Sequence, residues 1–343
     1  CRISVTQQDP VIRRRPRNEP TAFMSMETVH HTRDAFAAVQ QSGMMGVICH
    51  CLMDETGGYE PLARPIDQAL ETCEELRAEW ADHKRLRIGV APRFALSCSA
   101  ENMKIAADYA RQHGFLLHTH SSEQIEEVDL VKEMTGLYNI EFLHSVGLSG
   151  PDVSLAHCVH TQPHERELMK ETDTKVLHCP SANLKLGSGT APVPEYLEQG
   201  ITVSIGADGA PCNNRLYMFL EMREAALIQK PRLGTDALSA RAVVRMATEG
   251  GAETLNGQQE MGTLEPGKLA NLIFIDPRSF HVVPSEDPAT NVVYSFQGAD
   301  VALTMVQGEI LFEDGRLTTI DEELLFEQVR QERKALVERA GVG

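Results

Sequence analysis

The sequence predicts an α/β fold, a parallel (β/α)8 TIM-type barrel that is incomplete at its N-terminus. Three observations carry that expectation. From about residue 21 to 255, short apolar runs alternate with helical stretches, the rhythm of strands buried on both faces. Three of those runs, LLHTHSSE at 116–123, LAHCVH at 155–160 and SIGADGAP at 204–211, stop abruptly at a His or an Asp. Seven strand–helix units can be counted, one short of the eight that close such a barrel.

Taken in order, residues 1–20 carry Arg13, Arg14, Arg15 and Arg17 and three prolines without periodicity, and read as disordered or non-native. The chain opens on Cys rather than Met, which suggests a start inside a longer protein. AFMSM at 22–26 is the first strand, a helix follows at about 33–41, and GMMGVICHC is the second strand. A helix at about 66–82 leads to the strand RLRIGVAP. Ser99 reads as the N-cap of a helix over 100–113, stopped by Gly114. The unit then repeats: a strand from 115, helix 123–134, strand 153–157, helix 163–171, strand 174–178, helix 193–199 and strand 201–206.

After a helical region at 216–255 the texture changes. The Pro-Gly turn of MGTLEPGKLANLIFID, then VVYSFQ, ALTMVQG and EILFEDG, read as short strands of a small antiparallel sheet. The tail at 321–339 reads as a charged amphipathic helix. The expected division is a barrel at 21–262, small β-sandwich strands at 263–316 and a C-terminal helix at 317–343.

Composition removes several classes of function. The net charge of −17 repels nucleic acid and anionic membranes, and 5% aromatic residues leave little for a base-stacking platform. No run approaches the roughly 20 apolar residues of a membrane span, and the opening residues do not read as a signal peptide. Eight cysteines in 343 residues form no dense framework and read as reduced, cytoplasmic thiols. Cys158, Cys179 and Cys212 sit beside the polar strand ends and read as packing residues.

At the C-terminal ends of barrel strands, polar side chains point into the active-site mouth. His118 and His120 lie two apart and so share a face, and Glu123 follows them. His157 ends the next site strand and Asp208 lies at the end of a third. Two imidazoles and an aspartate beside a glutamate are the parts needed to bind a metal and activate water. A metal cation would also relieve the cost of an unpaired carboxylate at Asp208. By contrast, His160 and His164 read as solvated surface, and His178 as either structural or pocket-lining. The GSG at 187–189 reads as a flexible turn.

The series HTHSSE, LAHCVH, HCPSANLKLGSG, GADGAPCNN and MGTLEPGKLANLIFID resembles the amidohydrolase superfamily, in its branch acting on purines, nucleosides and triazines. The resemblance implies one divalent metal ion, zinc or alternatively iron, held by His120 and Asp208. It implies Glu123 as proton shuttle, His157 as the residue orienting water and substrate, and Asp208 as acceptor of the water proton. The implied reaction is hydrolytic deamination of an aminopurine base or nucleoside. The motif APRFALSCS resembles guanine deaminases and implies Arg93 and Phe94 as substrate contacts, whereas GADGAPCNN resembles the 5'-deoxyadenosine and S-adenosylhomocysteine members. A chloro- or aminotriazine hydrolase and an inactive fragment are the alternatives. The family's HxH metal pair has no counterpart in this chain. His30 and His31 are adjacent, so their side chains diverge on an extended chain. The partner implied is a small molecule, with neither nucleic acid nor membrane, and a homo-oligomer is left open.

Overall fold

The computed structural model describes residues 20–341, apart from 59 and 285. The expectation for residues 1–20 therefore falls almost wholly outside the described residues. Seven parallel strands form one sheet in sequential order: β1 (Ala22–Met26), β2 (Met45–Leu52), β3 (Leu86–Pro92), β4 (Leu116–Ser121), β5 (Val153–His157), β6 (Lys175–His178) and β7 (Val203–Ile205). Each consecutive pair is joined by helical crossover, which parallel pairing requires. Among the described residues β1 pairs only with β2 and β7 only with β6.

Local signals act as the sequence indicates. The Ser99 side chain accepts from the Asn102 amide at 3.4 Å, and Gly114, at φ +68°, ends helix Ala100–His113. The second sheet is antiparallel, in the order β11 (Arg316–Leu317), β10 (Glu309–Glu313), β9 (Val301–Val306) and β8 (Leu272–Ile275). It packs on the barrel through one continuous apolar core that includes Val306, Leu311 and Phe312 beside Met44 and Leu86. The C-terminal helix spans Glu322–Ala340 and is capped by the Asp321 carboxylate.

One expected strand is not formed. The first four residues of VVYSFQ lie in a helical segment, Pro288–Thr290 running into a π-turn at Asn291–Ser295. Asp287 caps it, its side chain accepting from the Thr290 amide at 3.1 Å, and Pro288 occupies the first helical position. The Arg223 guanidinium then binds the Tyr294 carbonyl at 2.8 Å, which holds the segment against helix Met218–Leu233. A cap, a proline and a tertiary contact outweigh three β-prone residues.

Candidate active site

The strand ends singled out by the sequence are places of unusual backbone. His157, Cys158 and Asp208 all adopt left-handed conformations, with φ of +71°, +49° and +58°, as does Ser122 at +53°. Non-glycine residues resist that region, and such strain collects where side chains must be aimed. The strand preceding Asp208 stops at Ile205, so Asp208 stands on the loop beyond β7 rather than on the strand. Glu123 likewise precedes its helix, which starts at Ile125.

β4 and β5 pair in parallel with Ser121 opposite His157, which brings His120 beside His157. The two imidazoles stack with ring centroids 5.3 Å apart. His118 lies further down the strand, 6.1 Å from His120, with its Nδ1 bonded to the Ser154 carbonyl at 3.1 Å. Burial pushes the His120 imidazole down to about 3, with His157 and His118 adding to the effect. Burial also pushes His118 down to about 4, while the nearby Asp208 carboxylate opposes the shift. These rings are therefore neutral at physiological pH, the state in which imidazole serves as a ligand.

Each ring is oriented from outside. His120 Nδ1 donates to the Arg93 main-chain carbonyl at 2.8 Å, so its Nε2 lone pair faces the mouth. His157 Nδ1 bonds Asn183 Oδ1 at 2.9 Å, and its Nε2 stands 3.6 Å from Glu123 Oε2. At that separation the pair is not a direct hydrogen bond. Asp208 Oδ1 accepts from the Gly209 amide at 2.5 Å, and the Cys212 thiol also bonds the Asp208 carboxylate.

The Asp208 loop is clamped from below. Asn213 Nδ2 donates to the Ala207 carbonyl and to Glu221 Oε1, each at 2.7 Å, and Ser181 Oγ also donates to that Oε1 at 2.6 Å. Glu221 is fully buried, and burial raises its pKa against the pull of those donors.

Arg93 is exposed and its guanidinium sits 5.8 Å over the Phe94 ring. Among the described residues it makes no ion pair. His178 is buried, with neither ring nitrogen hydrogen-bonded, and burial pushes it down to about 3. The expectation of solvated surface fails for His160, which is partly buried with Nε2 on the Ser188 carbonyl at 2.7 Å. It holds for His164, which is half exposed beside Glu141. The seven described cysteines are free, and all but Cys212 are buried.

Sequence reasoning missed three residues, Asn183, Ser188 and Glu127. Ser188 is buried and its hydroxyl donates to Glu123 Oε1 at 3.2 Å, while Glu127 accepts from the Glu123 amide at 2.9 Å. Only Glu127 had a readable signal, since it falls four residues after Glu123 at the start of a helix.

Residues 20–311 match the amidohydrolase family. The chain belongs to that family. A 5'-deoxyadenosine deaminase of Methanothermobacter thermautotrophicus is 37% identical to this amidohydrolase over 291 residues, covering 84% of this chain and 67% of the relative. A 5-methylthioadenosine/S-adenosylhomocysteine deaminase of Syntrophobacter fumaroxidans is 35% identical, covering 92% of this chain and 71% of its own length. Among solved structures, an adenosine deaminase from Xanthomonas campestris with bound zinc superposes with a TM-score of 0.89 at 25% identity. That match covers 97% of this amidohydrolase and 75% of the neighbour.

Whether the residues present suit a metal is a question of donors. An imidazole such as His120 and a carboxylate such as Asp208 are donor types that suit a divalent ion of zinc type. Among the described residues, however, no group of three or more His, Cys, Asp or Glu side chains is placed to hold a metal ion. The donor set is a pair, where catalytic zinc usually takes three protein ligands. Among the described residues no helix is long and apolar enough to cross a membrane.

Proposed function

We propose that this amidohydrolase catalyses the hydrolytic deamination of an adenosine-type compound, with release of ammonia. The observation that carries the reading is the facing pair of Glu123 and His157, 3.6 Å apart at the ends of adjacent strands, in a chain whose relatives are named for that activity. A divalent ion, zinc by preference, would be held by His120 and Asp208 and would supply an acidified water.

The chain's own groups divide the remaining work. Asp208, on the loop beyond β7, accepts a proton from the attacking water. His157, fixed through Nδ1 by Asn183, presents Nε2 to the same water or to the substrate. Glu123 delivers a proton to the ring nitrogen adjacent to the amine-bearing carbon, which makes that carbon electrophilic. The ring carbon gains an oxygen, the carbon–nitrogen bond breaks, and the two water protons finish on the ring nitrogen and the departing ammonia.

The Arg93–Phe94 pair favours a second reading, a guanine-type substrate. A guanidinium free of ion pairs can donate to a ring carbonyl while the phenyl ring covers the base. A panel of 5'-deoxyadenosine, S-adenosylhomocysteine, 5'-methylthioadenosine and guanine, followed by ammonia release, tests both readings. Turnover of the nucleosides is the expected result. Turnover of guanine alone would establish the second reading, and no turnover with any of the four, metal supplied, would overturn both.

A further inference from the structure

The segment after β6 does more than connect. Helix Pro180–Lys185 carries Asn183, whose amide oxygen holds His157, and its trailing loop carries Ser188. The Ser188 amide donates back to the Asn183 carbonyl at 2.8 Å, and His160 Nε2 holds the Ser188 carbonyl at 2.7 Å. Gly187 at φ +71° and Gly189 at φ +119° flank the serine and turn it inward. A side chain at Gly189 would meet Val159 Cγ1 at 3.1 Å as well as a strained backbone.

The hydroxyl of Ser188 has only one way to be used. Gln124 Nε2 donates to its oxygen at 2.6 Å. The single hydroxyl proton is then left for Glu123 Oε1, 3.2 Å away, and an ionised carboxylate can only accept. The Glu123 main chain is held at the same time, its amide donating to Glu127 Oε2 at 2.9 Å, and Glu127 is itself fixed by Asn139 at 2.6 Å. Only Oε2 of Glu123 is left facing His157.

We propose that Ser188 is a positioning residue for Glu123: its hydroxyl anchors Oε1, so that Oε2 is the oxygen that carries the proton. The proposal rests on the deaminase reading for its kinetic consequence, though not for its structural one. The 187–189 turn thereby ties the Glu123 side chain to the segment that also orients His157, so one loop sets the spacing between the two reacting groups.

The test is a double-mutant cycle joined to crystallography. Ser188→Ala should lower kcat by roughly 10-fold or more, the size of a lost hydrogen bond to a charged group, with KM within about 2-fold of wild type. In a Glu123→Ala background the same substitution should change kcat by less than about 2-fold, because the group it positions is gone. A crystal structure of the Ser188→Ala protein should show the Glu123 carboxylate rotated or in two conformers. Gln124→Leu, which frees the hydroxyl without removing it, should lower kcat in the same direction and carries the test if Ser188→Ala does not fold. Equal losses with and without Glu123, or no loss at all, would overturn the proposal. Should the wild-type chain turn over no substrate, the deaminase reading falls, and the tether is judged on the crystal structure alone. An unmoved Glu123 would then refute it.

Discussion

Glu123 Oε2 and His157 Nε2 face each other at 3.6 Å from the ends of two adjacent parallel strands, the carboxylate one-fifth exposed and the imidazole almost fully buried. The glutamate is open to solvent, while the histidine is walled in by Asn183 and His120. Under the proposed function, the solvent-reached carboxylate exchanges protons and the fixed, buried imidazole orients.

Replacing Glu123 by Gln keeps the volume and removes the proton. Turnover of a nucleoside substrate should fall by roughly 10²–10⁴-fold. Metal content, measured by elemental analysis, should stay as in wild type, and its loss would make Glu123 a ligand instead.

Asn183 is buried and its side-chain amide nitrogen has no partner, so the residue is kept for the bond to His157. Asn183→Ala should cost about 1–3 kcal/mol in urea unfolding, because His157 Nδ1 is left buried and unpaired. The same variant should lose turnover beyond what the stability change explains. A folded variant with wild-type turnover would remove Asn183 from the site.

The Glu221 carboxylate gathers donors from Ser181 and Asn213 beneath the Asp208 loop. Glu221→Ala strands those donors in a buried space and should cost about 2–4 kcal/mol. Hydrogen exchange should rise selectively over residues 207–214. A uniform rise across the barrel would mean that Glu221 supports the core and not the loop.

The pH dependence of stability follows from buried neutral imidazoles. Burial pushes His50 down to about 4 and His178 to about 3, below the 6.5 of an unfolded histidine. Between those values the unfolded chain binds more protons than the folded one, so stability rises with pH. The contribution is complete above about pH 6.5 and is lost as pH falls towards 4 and 3. Urea midpoints measured at pH 7.5 and 5 should therefore drop at the lower pH. His178→Leu should flatten the drop, and an unchanged slope would show that His178 finds a partner in solution.

Arg93 orients His120 through its main-chain carbonyl, which substitution leaves in place. Arg93→Ala should shift unfolding by no more than about 0.5 kcal/mol. Its kcat/KM loss should be confined to substrates that present a ring carbonyl. Equal losses on adenosine-type substrates would mark the arginine as structural.

The sequence by itself determined the order of the seven barrel strands, most helix boundaries to within a residue or two, and the polar residues at the strand ends. Those features are local: apolar runs of strand length, a Ser99 cap, a Gly114 stop and an abrupt change from Leu or Ala to His. At 292–297 the β-prone residues suggest a strand, but the Asp287 cap and Pro288 start a helical segment that takes in 292–295. Tertiary structure alone decided which groups meet. Ser188 stands 65 residues from Glu123 in the chain, and Asn183 stands 26 from His157. Nothing in a run of sequence encodes contacts at those separations. They arise when parallel strands in register bring their loops to one end of the sheet.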